Sequence, residues 1–182
     1  IPLALAGKDV IGESATGSGK TLAFGAPIIE NIEKGKFLQA LILTPTRELA
    51  EQVSKSLLVF SKYKSLKIAS VYGGVSFNPQ REDLKRAEIV VGTPGRILDH
   101  ISRKTIVLSK VKFLVLDEVD RMLDMGFFHD VTKIIEHCPK NRQTFLFSAT
   151  ISSDIREISR RYMNHAAEVS VESYVDASKL EQ

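Results

Sequence analysis

Ser14-Ala15-Thr16-Gly17-Ser18-Gly19-Lys20-Thr21 lies between a short apolar run at residues 9–12 and a helical pattern running towards Lys34. Strand, glycine-rich loop and helix in that order build an anion cradle. The glycines let the backbone curl inward with its amides exposed, and the helix adds its positive N-terminus. Thr16, Gly17, Ser18 and Gly19 would wrap a triphosphate, Lys20 would reach the β and γ phosphates, and the Thr21 hydroxyl would ligate magnesium. One position departs from the general pattern: Ser14 stands where a glycine is usual, and a residue this small still fits. The competing reading of the stretch is a glycine-rich turn ahead of an ordinary helix.

Outward from this loop, short apolar, β-branched runs alternate with longer helical patterns. Strands are expected at residues 9–12, 40–44, 67–71, 89–92, 112–117, 143–148 and 168–171. Several are apolar almost throughout, as strands covered on both faces must be. Leu49, Val53, Leu57 and Phe60 form one helical stripe, and Ile155, Ile158 and Tyr162 form another. Pro45 and Thr46 precede the first of these helices, and Asp154, three residues before Glu157, would help start the second. This alternation predicts an α/β domain with a mostly parallel central sheet and helices on both faces. Ligands of such sheets sit at the carboxyl ends of the strands.

The run at residues 112–116 ends in Asp117, Glu118, Val119 and Asp120. An apolar strand ending in two carboxylates is the Walker B arrangement. Asp117 would hold magnesium through water, while Glu118 would orient and deprotonate an attacking water. Magnesium is a hard cation that retains several waters, so one carboxylate beside Thr21 is enough protein. Taken alone, an acidic run after a strand is also what a solvated turn or a helix N-terminus looks like. The phosphate loop upstream reverses that preference.

Bulk properties exclude several classes. The 182 residues fit one domain able to bury a real core, and 43% hydrophobic with 26% charged residues is unlike a disordered chain. The longest apolar runs, such as Ala40–Leu43 and Phe113–Leu116, cannot span a bilayer. No basic segment followed by an apolar one opens the chain, and a single cysteine, Cys138, suits a reducing, cytosolic compartment. The net charge of +3 permits a polyanionic partner without arguing for one. The chain opens at Ile1 rather than Met, which suggests a fragment or a processed product. His100, His129, His137 and His165 lack metal-ligand spacing with Cys138, so surface or helix-face roles are expected. Cys138 reads as an inert thiol, Phe127 and Phe128 as packing under a helix, and Lys62, Lys64 and Lys67 as solvated surface.

Taken together, Thr16-Gly-Ser-Gly-Lys-Thr21, Pro45-Thr-Arg-Glu-Leu-Ala50, Gly73-Gly74, Thr93-Pro-Gly-Arg96, Asp117-Glu-Val-Asp120 and Ser148-Ala-Thr150 follow the order and approximate spacing of DEAD-box RNA helicases. The continuation Arg121-Met-Leu-Asp-Met-Gly-Phe127 is also typical of them. The chain resembles the first, RecA-like lobe of that family's two-lobed core. Any one short match is weak; the ordered set is very specific.

The resemblance implies an ATP-dependent RNA helicase using ATP and Mg²⁺, with Lys20, Asp117 and Glu118 as its catalytic groups. It implies that Thr46, Arg47, Gly74, Thr93, Gly95 and Arg96 face the RNA backbone, single-stranded or duplex, without reading bases. It implies that Ser148 and Thr150 hydrogen-bond near Asp120 and couple hydrolysis to strand separation. The residues also admit plainer readings: a helix start at Pro45 and Thr46, a turn at Gly73 and Gly74, a surface cation at Arg96, and a helix cap at Ser148 and Thr150. Val119 replaces the family's usual alanine, which predicts a packing adjustment. The adenine-reading segment expected before Ile1, and the second lobe expected after the chain, lie outside these 182 residues. A lobe alone is therefore expected to be nearly inactive. A DNA helicase or translocase, and a nucleotide-binding module that has lost catalysis, are the alternatives. The Pro-Thr-Arg-Glu-Leu-Ala string speaks against the first, and Lys20, Thr21, Asp117 and Glu118 speak against the second.

Overall fold

Strand β2 (Ala40–Leu43) reads Ala-Leu-Ile-Leu, and all four of its side chains are buried. The computed structural model describes residues 1–13 and 19–170, and in it β2 lies near the middle of a seven-stranded sheet. The other strands are β1 (Val10–Glu13), β3 (Ile68–Val71), β4 (Ile89–Gly92), β5 (Phe113–Leu116), β6 (Gln143–Ser148) and β7 (Ala167–Ser170). The helices are α1 (Pro2–Leu5), α2 (Lys20–Asn31), α3 (Arg47–Phe60), α4 (Phe77–Leu84), α5 (Pro94–Ser102), α6 (Val119–Asp124), α7 (Phe128–Glu136) and α8 (Ser153–Tyr162).

The period-2 alternation of each strand divides the core into two layers. Leu41 and Leu43 join Val71, Val90, Leu114 and Leu116 beneath α5, α6, α7 and α8. Ala40 and Ile42 join Ile89, Val91, Val115 and Phe145 beneath α1, α2 and α3. Fully buried Phe24, Ile28 and Leu57 anchor the helices of this second layer, each contributing about 1.5–3 kcal/mol of transfer free energy. A strand that is apolar at every position is thus needed twice over, once for each layer. Val119, where a packing adjustment is expected, is fully buried in the first layer.

Strand order is β3-β4-β2-β5-β6-β1-β7, with every pairing parallel. The sheet expected to be mostly parallel is parallel throughout. All strand C-termini therefore lie on one edge, and the loops that follow them line a single rim. On that rim β1 and β5 are separated by β6, which puts the end of β6 between the phosphate loop and the acidic cluster.

Expected strand boundaries hold to within a residue, but four side chains behave differently from their sequence reading. The Lys64 ammonium donates to the carbonyls of Ile29, Glu30 and Ile32 at 2.7, 2.6 and 3.0 Å. It caps the C-terminus of α2, where the helix leaves acceptors unpaired and favours a cation, so it is not simple solvated surface. Phe60 is 39% exposed despite lying on the α3 stripe, with part of its ring facing Gly25 on α2. Ser152, not Asp154, caps α8 by accepting from the Ile155 amide. His100 is fully buried on α5, stacks on Phe77 at 4.1 Å, and bonds Thr105 through Nδ1. Burial, with the neighbouring Arg96 charge, pushes its pKa down to about 4 and keeps it neutral. Cys138 is buried, which raises its thiol to about 11, in keeping with an inert role. No helix among the described residues is long and apolar enough to cross a membrane.

Candidate active site

Thr16, Gly17 and Ser18 lie outside the described residues. The rest of the phosphate-loop motif opens α2. Gly19 is the N-cap residue at φ +86°, a left-handed conformation costing any L side chain about 1–2 kcal/mol. Lys20 follows as the first helical residue and is 9% exposed, and Thr21 is half-buried beside it. A buried ammonium at the positive end of a helix is electrostatically unfavourable on its own. An anion nearby offsets part of that cost, and Asp117 provides one: Lys20 Nζ lies 3.8 Å from Asp117 Oδ1. The two motifs thus converge across the tip of β6.

Asp117 directly follows β5, its amide donating to the Leu43 carbonyl at 3.0 Å. The residue is 2% exposed, and Oδ1 has no hydrogen-bond donor among the described residues. Burial pushes its pKa up to about 6, against the pull of Lys20 and with added repulsion from Glu118. A buried, under-bonded carboxylate beside a half-buried hydroxyl is a donor set suited to a hard divalent cation. Among the described residues no three His, Cys, Asp or Glu side chains form a metal cage. Asp117 and Thr21 could therefore hold only a cation that takes its remaining ligands from water or a phosphate.

The raised pKa has a consequence for stability. Between about pH 4 and pH 6 the folded chain holds a proton on Asp117 that the unfolded chain has lost. Ionised Asp117 therefore costs stability above about pH 6, by on the order of 3 kcal/mol, and that cost disappears as the pH falls towards 4. Asp117→Asn should raise the thermal midpoint of the ligand-free protein by several degrees near neutral pH, with the gap closing in acid. A midpoint below that of the parent at neutral pH would contradict the cost assigned to ionising this buried carboxylate.

Glu118 sits at φ +52°, ψ +54°, as the N-cap of α6. A non-glycine residue in this region costs about 1–3 kcal/mol and persists only where its surroundings enforce it. Its side chain is 13% exposed and pairs with Arg121 at 3.4 Å. One residue further on, Asp120 is bonded to the end of β6. Its amide donates to Ser148 Oγ at 3.2 Å, while its Oδ2 accepts from the Ala149 amide at 3.0 Å and the Thr150 hydroxyl at 3.5 Å. Ser148 and Thr150 thus meet Asp120 instead of capping α8.

The six residues expected to face RNA lie on the other half of the rim, after β2, β3 and β4, which are neighbours in the order β3-β4-β2. Thr46 accepts from the Leu49 amide and caps α3, so its plainer reading is present in the structure. Arg47 is half-exposed, donates from Nε to Glu51 at 3.0 Å, and lies 5.0 Å over the Tyr72 ring. Gly74 turns the chain at φ +78°, with nothing within 4 Å of where a Cβ would stand. Thr93 and Gly95 open α5, both half-buried. Arg96 is not a free surface cation: its side chain is 14% exposed and both terminal nitrogens donate to the Val75 carbonyl at 3.1 and 3.2 Å. Glu51, Tyr72 and Gln80 also belong to this cluster and were missed from sequence. Gln80 carried a signal, being a polar residue on the same helical face as Phe77 and Leu84.

Comparison with known proteins gives a consistent picture. The family model for DEAD/DEAH box helicases matches residues 1–158. The chain is 53% identical over 166 residues to the ATP-dependent RNA helicase CshA of Listeria monocytogenes, covering 90% of this chain and 32% of that protein. It is 48% identical over 176 residues to the ATP-dependent RNA helicase DbpA of Bacillus subtilis, covering 95% of this chain and 36% of that one. Among solved structures, a DEAD box protein from the hyperthermophile Methanococcus jannaschii superposes with a TM-score of 0.90 at 46% identity, covering 93% of this chain and 47% of that one. The chain spans about a third of the length of the curated relatives it matches.

Proposed function

The chain belongs to the DEAD/DEAH box helicase family, and on that premise we propose that it is the ATP-binding and hydrolysis lobe of an ATP-dependent RNA helicase. The observation carrying the proposal is the approach of Lys20 to Asp117 with Glu118 alongside, from motifs far apart in the chain. In this reading residues 1–182 form one RecA-like lobe, and a second lobe of the same polypeptide closes over the rim. A preceding segment reads adenine. The protein works in the cytoplasm on single-stranded or duplex RNA.

ATP enters with its phosphates against Gly19, Lys20 and Thr21 and the preceding Thr16, Gly17 and Ser18. Lys20, already buried, exchanges the Asp117 contact for the β and γ phosphates. Thr21 and Asp117 would hold Mg²⁺, which would supply positive charge where negative charge develops on the phosphates. Glu118, set by its left-handed backbone at the head of α6, orients the attacking water and takes its proton. Asp120, tied to Ser148, Ala149 and Thr150, transmits the state of the acidic motif to the β6 loop. On the other half of the rim, Thr46, Arg47, Gly74, Thr93, Gly95 and Arg96 receive the RNA backbone. Such contacts carry no base information, so binding is sequence-independent and weakens with salt.

Lys20→Ala in the full-length protein tests the phosphate assignment. A charge-assisted contact to phosphate is worth about 1.5–3 kcal/mol, so ATP affinity should fall by about 10- to 100-fold in equilibrium titration. Undiminished affinity would remove the phosphate-loop assignment. Comparing RNA with DNA as the stimulating strand in an ATPase assay tests the substrate class, and stimulation by DNA alone would overturn the RNA reading.

A further inference from the structure

A chain of contacts joins the two arginines of the RNA-facing half of the rim. Arg47 donates from Nε to Glu51 Oε1 at 3.0 Å, and the same oxygen accepts from the Tyr72 hydroxyl at 2.8 Å. The Tyr72 carbonyl accepts from Gln80 Nε2 at 3.0 Å, and Gln80 Oε1 accepts from Arg96 at 3.5 Å. Arg96 closes the chain on the Val75 carbonyl. Tyr72 and Val75 are the shoulders of the Gly73-Gly74 turn, so one carbonyl on each side is clamped. Gln80 is 5% exposed, and it reaches both shoulders from within the fold, one directly and one through Arg96.

Resting on the reading that this half of the rim binds RNA, we infer that Tyr72 and Gln80 are positioning residues, bracing Arg47, Arg96 and the Gly73-Gly74 turn as one preformed surface for a phosphodiester backbone. Three observations support it. Glu51 sits between a phenol and a guanidinium, whose hydrogen bonds lower its pKa and keep it a charged acceptor. The Arg47 guanidinium is further held over the Tyr72 ring at 5.0 Å, which fixes its plane. Phe77, at the start of α4, stacks on the buried His100 ring at 4.1 Å and meets the Arg103 guanidinium at 4.7 Å, so the helix that carries Gln80 is anchored independently of RNA. The turn itself has no side chain to hold it: Gly74 has a positive φ and an open surroundings. Left unbraced, it would lose conformational freedom each time RNA bound, and so would both long arginine side chains.

The test uses the full-length protein with a labelled oligouridine strand, ATP analogue and magnesium, read by equilibrium anisotropy over a salt series. Gln80→Met keeps the buried volume and removes both contacts, and RNA should bind about tenfold more weakly. Gln80 touches no phosphate in this scheme, so the slope of log affinity against log salt should stay that of the parent, whereas Arg47→Ala should shallow it by about 0.7. Tyr72→Phe, which loses only the hydroxyl bond to Glu51, should weaken binding a few-fold and guards against a general folding defect in the Gln80 variant. ATP affinity, read in parallel, should be that of the parent in both. RNA affinity within twofold of the parent in both variants overturns the brace while leaving the RNA surface intact. A shallower salt slope in Gln80→Met overturns the positioning role in favour of direct phosphate contact. Absence of RNA binding by the parent protein overturns the RNA reading and the brace together.

Discussion

Assayed alone, the 182-residue chain should hydrolyse ATP about 10³–10⁵-fold more slowly than the full-length protein at saturating RNA, with little stimulation by RNA. The expectation follows from what the described rim supplies. Lys20 and Asp117 are buried together, but the next groups outward, Ala149 and Thr150, are exposed, and Gly19 is exposed as well. A triphosphate seated there would have protein on one side and solvent on the other. Charge spreading over the γ-phosphate oxygens in the transition state needs cations on the open side, and an arginine supplied across such a gap is worth about 10³–10⁵ in rate. The proposed second lobe would bring those arginines and exclude water. The measurement is ATP turnover with and without RNA for the chain and for the full-length protein. RNA-stimulated turnover by the chain alone, within tenfold of the intact protein, would contradict the two-lobe reading.

Glu118→Gln in the full-length protein should lower kcat by about 10²–10⁴ while ATP affinity stays within a few-fold of the parent. The amide keeps the size of the carboxylate but cannot accept a proton from water. The backbone at this position is already left-handed, and an amide side chain makes the same demand on it, so the loss should be chemical and not conformational. The ion pair with Arg121 would also be lost, but Arg121 is 59% exposed, and such a pair is worth about 1 kcal/mol at most. That is too little to account for an effect of the expected size. Single-turnover hydrolysis, measured beside equilibrium ATP binding, separates the two quantities. Unchanged turnover would remove Glu118 from the role of base.

Much of this arrangement was legible in the amino-acid sequence, and the parts that were not share a cause. Strands β2, β4 and β5 announce themselves because each must feed two apolar layers, which leaves no polar position in them. The glycine-rich loop and the acidic cluster are legible because phosphate and cation chemistry demand particular residue types at close spacing. Lys64, His100 and Gln80 were hidden because a polar side chain's partner is set by the tertiary structure. Lys64 finds its acceptors more than thirty residues away in the chain, and Gln80 bridges the loop after β3 to Arg96 on α5. Periodicity reports which face of a helix is buried; it does not report a polar group buried there by design. The strand order had the same limit. Neither motif announces that β6 stands between β1 and β5, with its Ser148 in the gap.

Anomalous diffraction from crystals of the protein grown with a non-hydrolysable ATP analogue and Mn²⁺ in place of Mg²⁺ would locate the cation and the triphosphate together. A single manganese peak is expected beside Thr21 and Asp117, with the terminal phosphates against Lys20 and Glu118 facing the γ-phosphate. A metal peak or a triphosphate seated away from that junction, with Lys20 still paired to Asp117, would contradict this placement.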